Sequence, residues 1–170
     1  MSKQTGPAFS GASDEPPPQL VIVGCGNPAR SDDGVGVEVA RRLTALMRPA
    51  SGVIIDAGLA GMDVMFRLRG AQRVVIVDAC RSGSEAGAIF RMNGREAMTP
   101  TQHSFTLHGL RWDHALYAGT KMFGEDFVDR TEVFLIEAGN LDFGLELSEP
   151  VHAAAQRVVE ILRLLVTGYE

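Results

Sequence analysis

The sequence lacks several features that would assign it directly to a functional class. It has only two cysteines, Cys25 and Cys80, too few for a disulfide framework, so we expect a reducing, cytoplasmic environment. No apolar run approaches the roughly 20 residues that span a bilayer, and the N-terminus lacks the apolar core of a secretory signal, so we expect no membrane association. Its 16 Lys and Arg are outnumbered by 21 Asp and Glu, and a formal net charge of −5 argues against nucleic-acid binding.

Familiar catalytic motifs are missing as well. The sequence contains no H-E-x-x-H, no G-x-S-x-G and no family-specific cysteine-protease signature. The Gly-Lys-Ser/Thr sequence of a P-loop is also absent. What is present is the composition of an ordinary globular protein, with 45% hydrophobic and 22% charged residues in a chain of 170. That length is sufficient for one domain with a sizeable core.

The chain divides into a short leader and one folded unit. Residues 1–18 are rich in Gly, Ser and Pro and have no apolar period, which predicts a disordered leader ending in three consecutive prolines. Residues 19–170 are predicted to form a single α/β domain. Its apolar, β-branched runs predict strands at residues 20–25, 53–57, 74–79 and 133–137, with a weaker edge strand at residues 88–92.

Amphipathic segments alternate with these strands. Helices are predicted at residues 35–47, 61–70, 104–118 and 150–166, with Pro150 in the first turn of the last helix. This alternation predicts an α/β three-layer sandwich, in which a mostly parallel, twisted sheet of about five strands has helices on both faces. In such folds the functional groups gather at the carboxyl ends of the strands.

The segment GCGNPARSDDGVGV, residues 24–37, joins the first predicted strand to the first predicted helix. Gly24 and Gly26 fit the start of a dinucleotide-binding turn, in which Ala29 would be an allowed third position. Asp32 and Asp33 would repel a pyrophosphate at the N-terminus of the helix. A dinucleotide-binding enzyme is therefore an alternative interpretation.

The two adjacent aspartates have two explanations. One aspartate can serve as the N-cap of the following helix, a role that contributes about 1 kcal/mol to stability. Only one residue can occupy the cap, so the second carboxylate favours a cation site. Asp78 supports such a site, because it directly follows the apolar residues 74–77 and must emerge at the carboxyl end of the sheet or be buried at a cost of several kcal/mol. Its alternative role is to cap a turn near Ser82 and Gly83.

His103 lies where a polar loop enters a predicted helix. Two carboxylates and a neutral imidazole form a suitable ligand set for a borderline divalent metal such as Ni²⁺ or Zn²⁺. The other three histidines, His108, His114 and His152, compete for this role, and we expect them to be structural or exposed to solvent.

The order of these segments resembles the hydrogenase maturation proteases, the endopeptidases that finish the large subunit of nickel–iron (NiFe) hydrogenases. GCGN at residues 24–27, followed by DDGVG at residues 32–36, is similar to the opening signature of the family. VDA at residues 77–79 resembles its second block, and HSFTL at residues 103–107 is similar to its histidine block. The resemblance covers about residues 19 to 167.

This resemblance implies a metal-binding triad of Asp33, Asp78 and His103, with His108 as a competing imidazole. It implies an enzyme that recognises nickel already inserted in the NiFe hydrogenase large-subunit precursor, and that then removes a C-terminal extension from this partner. Such an enzyme would be an aspartic or metallo-type peptidase, in which Asp33 or Asp78 acts as the catalytic base. Cys25 is an alternative nucleophile for which no base is identified. A non-catalytic metal-binding or chaperone protein that only docks on the precursor is the alternative from a different class.

Overall fold

A computed structural model describes residues 18–47, 52–59, 67–98 and 112–167 of the chain. Five strands form one sheet in the order β2-β1-β3-β5-β4. Strands β2, β1, β3 and β5 are parallel, and β4 pairs with β5 in the antiparallel direction. Their bounds are β1 (Leu20–Cys25), β2 (Gly52–Gly58), β3 (Arg73–Cys80), β4 (Ile89–Asn93) and β5 (Thr131–Glu137). All five predicted strands are confirmed, including the edge strand.

The helices of the described residues are α1 (Val35–Leu46), α2 (Gly94–Ala97), α3 (Trp112–Phe123), α4 (Asp126–Asp129) and α5 (Glu149–Thr167). Pro150 lies in the first turn of α5, as predicted. The prediction that the third long helix ends at residue 118 is wrong, because α3 continues through Gly119. A Cβ atom at Gly119 would be 2.3 Å from the ring of Phe127, so this glycine serves close packing. Gly124, with φ of +94°, follows the end of the helix instead.

Alternate residues of the strands face two separate apolar layers. Leu20 and Ile22 of β1 pack in the layer that contains α1 and α5, whereas Val21 and Val23 pack in the layer that contains Leu116 of α3 and Phe127 of α4. The predicted three-layer α/β sandwich is therefore confirmed. Strand β2 differs from the expectation of burial on both faces, because it is an edge strand whose Val53 is 45% exposed.

Several predictions lie wholly or partly outside the described residues. They concern residues 1–17 of the leader, most of the predicted helix at residues 61–70, and the first half of the predicted helix at residues 104–118. In the part of the chain that the structure describes, no helix is both long and apolar enough to cross a membrane.

Candidate active site

Glycines allow the N-terminus of α1 to lie directly against the carboxyl ends of β1 and β3. A Cβ atom at Gly36 would be 2.1 Å from the carbonyl oxygen of Val77, and one at Gly24 would be 2.0 Å from the carbonyl oxygen of Gly36. Gly26 has φ of +121°, and a Cβ atom there would be 1.8 Å from the carbonyl oxygen of Asp33. Side chains at these positions would push the helix and the acidic turn away from the sheet. The glycines therefore fix where the acidic turn lies.

The same contacts argue against the dinucleotide-binding interpretation. A pyrophosphate needs space and available N–H groups at the glycine turn. The backbone of Asp33 fills the space beside Gly26, and the Gly26 N–H donates a hydrogen bond to the Gly58 carbonyl at 2.9 Å. At Gly26, neither requirement is met.

Asp33 and Asp78 belong to segments that meet at Gly26. The carbonyl oxygen of Asp33 contacts Gly26, and the Oδ1 atom of Asp78 would lie 3.3 Å from a Cβ atom on the same glycine. Oδ1 of Asp78 also accepts a hydrogen bond of 2.8 Å from the Ala79 N–H. Both aspartates are half-buried. Because β1 and β3 are neighbouring parallel strands, the two residues lie at the same edge of the sheet.

Asp32 has a different environment from its neighbour. It is fully buried, and its carboxylate accepts hydrogen bonds of 2.7 to 2.9 Å from the N–H groups of Gly139, Asn140 and Ser148 and from the Ser148 hydroxyl. The helix-capping explanation of the aspartate pair is wrong, because neither the 3₁₀ turn Ser31–Gly34 nor α1 has a side-chain cap. Asp32 instead attaches the acidic turn to the loop between β5 and α5.

Ser31 shows how tightly this attachment is made. It has φ of +48°, a left-handed conformation that costs a non-glycine residue about 1 kcal/mol or more. Its N–H donates to the Gly144 carbonyl at 2.8 Å, and its hydroxyl donates to the Asp142 carbonyl at 3.1 Å. Arg30 adds two hydrogen bonds from its guanidinium to the Leu141 carbonyl. These contacts hold the strained residue next to the two aspartates.

The third residue of the predicted triad cannot be compared with the first two. His103 and the competing His108 lie outside the described residues. His114 lies in α3, and His152 is exposed in the first turns of α5. Within the described ranges, no group of three or more His, Cys, Asp and Glu side chains is arranged to hold a metal ion. The metal-ligand roles of Asp33, Asp78 and His103 therefore stay predictions.

Both cysteines have environments that disfavour the thiolate. Burial raises the pKa of the Cys25 thiol, and the nearby charge of Asp78 raises it further. Burial, together with the hydrogen bond and charge of Glu137, raises the pKa of Cys80 to about 12. A nucleophilic cysteine needs a lowered pKa. The interpretation of Cys25 as a nucleophile is therefore not supported.

Glu137 is a structurally important residue that the sequence analysis did not identify. It is fully buried at the end of β5 and accepts hydrogen bonds from the N–H groups of Ser82 and Gly83 and from the Ser82 hydroxyl. The Ser82 N–H is the main reason that the pKa of Glu137 falls to about 2. The turn at residues 82–83 is thus held by Glu137, and the alternative role of Asp78 as its cap is wrong. The sequence did contain a signal for Glu137, because this acid ends an apolar predicted strand just as Asp78 follows one.

Known proteins resemble this chain over most of its length. Residues 37–163 match the family model for hydrogenase maturation protease. A candidate hydrogenase maturation protease of Methanocaldococcus jannaschii is 28% identical over 151 residues, covering 84% of this chain and 93% of that protein.

Solved structures of several proteins share the fold. One is the NiFe hydrogenase maturation protease HycI from Thermococcus kodakarensis, with a TM-score of 0.72 and 24% identity over 94% of this chain and 96% of that chain. Another is the hydrogenase maturating endopeptidase HybD from Escherichia coli, with a TM-score of 0.72 and 20% identity over 88% of this chain and 93% of that chain.

Proposed function

The chain belongs to the hydrogenase maturation protease family, and from that premise we propose that it removes the C-terminal extension of a nickel-loaded NiFe hydrogenase large-subunit precursor. The single observation that carries the proposal is the placement of Asp33 and Asp78. Both are half-buried at the Gly26 turn, at the carboxyl end of a parallel sheet. This is the edge at which open α/β folds bind their ligands.

The nickel in this proposal is part of the substrate. Asp33, Asp78 and His103 would bind it while the precursor is recognised. Carboxylate and imidazole groups are suitable ligands for Ni²⁺. Asp32 would not take part, because its two oxygens already accept four hydrogen bonds from the loop before α5.

The proposed reaction is hydrolysis of the peptide bond that precedes the extension. The oxygen of a water molecule adds to the carbonyl carbon, and the C–N bond then breaks. Nickel in the precursor would supply Lewis-acid polarisation of that carbonyl. Asp33 or Asp78 would accept a proton from the attacking water and return it to the leaving amine. Neither Cys25 nor Cys80 is required, since their raised pKa values keep both thiols protonated at neutral pH.

The test is to incubate the purified protein with nickel-loaded precursor and to follow the intact mass of the precursor. We expect loss of the C-terminal extension, and a rate at least about 100-fold lower for Asp33→Asn and for Asp78→Asn, because each change removes either the general base or a proposed nickel ligand. Asp126→Asn is the matched control. Asp126 is exposed in α4, just before the amino end of β5 and so at the opposite edge of the sheet, and its variant should retain the wild-type rate.

Each other result supports a defined alternative. Normal processing by both asparagine variants of Asp33 and Asp78 would remove these residues from the catalytic site. A stable complex with no change in the mass of the precursor would favour a non-catalytic protein that only docks. Thermal stabilisation by NAD but not by Ni²⁺ would favour the dinucleotide-binding enzyme, because a ligand stabilises the fold that binds it.

A further inference from the structure

The carboxylate of Glu137 lies on the same face of the sheet as the side chain of Asp78. Glu137 pairs with Cys80 in the register of β3 and β5, and its Oε2 atom accepts a hydrogen bond of 3.2 Å from the Cys80 thiol. Alternate residues of a strand point to the same face, so Asp78 and Cys80 are neighbours on β3, with Cα atoms about 7 Å apart. Glu137 therefore holds β3 two residues after a proposed catalytic aspartate.

The turn that follows β3 depends on Glu137 for its position. Residues 81–85 are exposed, and a Cβ atom at Gly83 would have no heavy atom within 4 Å apart from its chain neighbours. The Glu137 carboxylate accepts hydrogen bonds of 2.8 to 2.9 Å from the N–H groups of Ser82 and Gly83 and from the Ser82 hydroxyl. In the part of the chain that the structure describes, these are the only hydrogen bonds that residues 81–84 make outside their own turn.

A buried carboxylate is an unfavourable way to end a strand unless it has a role. Glu137 is only 1% exposed, and burial of an ionised carboxylate is costly unless hydrogen bonds satisfy both of its oxygens. An apolar side chain at the end of β5 would avoid this cost, but it would leave the turn after Asp78 without its hydrogen-bond acceptors. The position of this turn therefore explains the buried charge.

The chain that follows β5 also holds the acidic turn. Asp32 accepts four hydrogen bonds from residues 139–148, which begin two residues after Glu137. Asp33 is the chain neighbour of Asp32, and Asp78 belongs to the segment that Glu137 holds. Two buried carboxylates thus attach both proposed catalytic aspartates to one continuous stretch of backbone, which fixes the separation of these aspartates.

We propose that Glu137 is a positioning residue of the protease reaction, which holds the Asp78 carboxylate at its working distance from Asp33. This inference rests on the proposed function and adds to it a residue that touches neither the substrate nor the attacking water. A misplacement of about 1 Å in a reacting group can lower a rate about 100-fold. Loss of Glu137 should therefore lower kcat. It should change KM much less, because a protein substrate is bound through many contacts.

The experiment measures kcat and KM for processing of nickel-loaded precursor, at a temperature where each variant is folded. Glu137→Gln replaces one acceptor oxygen by an NH₂ group, and we expect kcat to fall at least about tenfold while KM stays within about twofold. Thr131→Val is the matched control, because Thr131 is buried at the other end of β5, about 20 Å away. Its hydroxyl donates to the Phe127 carbonyl at 3.0 Å, so this variant also loses a buried hydrogen bond but should keep the wild-type kcat.

A double-mutant cycle shows whether Glu137 acts through Asp78. In an Asp78→Asn background, Glu137→Gln should lower the remaining rate by less than about twofold, because residues that act as a unit are not additive. A merely structural role would lower the rate by the same factor in both backgrounds. Ser82→Ala removes only the hydroxyl donor from an exposed turn and should lower kcat by a smaller factor, which provides the measurement if Glu137→Gln does not fold.

The outcomes separate this inference from the proposed function. If the wild-type protein processes the precursor and folded Glu137→Gln has the same kcat as Thr131→Val, the positioning role is wrong and the protease assignment stands. The same conclusion follows if Glu137→Gln and Asp78→Asn are additive, or if Ser82→Ala keeps the wild-type kcat when Glu137→Gln does not fold. If the wild-type protein does not process the precursor, both proposals are overturned.

Discussion

The buried carboxylate of Asp32 offers a direct test of how the acidic turn is held. Its Oδ2 atom accepts hydrogen bonds from Gly139 N–H, Asn140 N–H and the Ser148 hydroxyl, and its Oδ1 atom accepts one from Ser148 N–H. In Asp32→Asn, one oxygen becomes an NH₂ group that must face at least one of these donors. A hydrogen bond to a charged group contributes about 1.5–3 kcal/mol, and a buried unpaired donor costs about 1–3 kcal/mol. We predict a loss of about 3 kcal/mol in the free energy of unfolding.

Thermal and urea unfolding measure this loss. In a domain of this size, about 3 kcal/mol corresponds to a fall of roughly 6 to 12 °C in Tm. Asp33→Asn is the matched control, because the same chemical change is made one residue away at a half-buried position, and it should cost less than about 1 kcal/mol. Hydrogen exchange should become faster at the amides of Gly139, Asn140 and Ser148 in the Asp32 variant alone. Equal Tm values for the two variants would refute the anchoring role of Asp32.

Two further predictions concern the groups around Asp78. Mainly because of the hydrogen bond from the Ser82 N–H, the pKa of Glu137 falls from 4.5 to about 2. The ionised Glu137 carboxylate therefore stabilises the fold above about pH 4.5, and this stabilisation is lost as the pH falls towards 2. Urea unfolding of the wild-type protein should therefore show a steeper loss of stability over this pH interval than Glu137→Gln, and equal slopes would contradict this. At pH 8, iodoacetamide should alkylate Cys25 and Cys80 of the native protein much more slowly than free cysteine, because a pKa of about 12 leaves little Cys80 thiolate and because Cys25 is buried. The urea-unfolded protein, with two reactive thiols by mass spectrometry, is the control, and rapid labelling of the native protein would refute the prediction.

Most of the fold could be predicted because its signals are local. All six residues of β1 are buried, and their continuous apolar run is typical of a central parallel strand. The end of α3 could not be predicted in the same way. Gly119 has the appearance of a helix end, but its role depends on the ring of Phe127, which reaches it only after the chain has turned back. A glycine that terminates a helix and a glycine that permits close packing are identical in sequence.

The candidate site shows the same division between local and distant information. The nearness of Asp78 to the acidic turn followed from two neighbouring parallel strands, which a pattern of apolar runs can indicate. The role of Asp32 could not be predicted, because its partners Gly139, Asn140 and Ser148 are 107 to 116 residues away in the chain. Glu137 was missed for a similar reason, because the N–H groups that donate hydrogen bonds to its carboxylate belong to a loop 54 to 55 residues earlier in the chain.

The different environments of Asp32 and Asp33 explain how two adjacent carboxylates can occupy a position where many α/β proteins bind phosphate. A helix N-terminus favours negative charge, so acidic side chains are tolerated there. Asp32 is buried with four donors around its carboxylate, whereas Asp33 remains half-buried beside Asp78. The same four hydrogen bonds attach the acidic turn to Gly139, Asn140 and Ser148 of the loop before α5. On the proposed function, this buried carboxylate therefore helps to set the position of a nickel-recognising aspartate. Loss of Asp32 should then slow cleavage of the precursor as well as lower the stability of the fold.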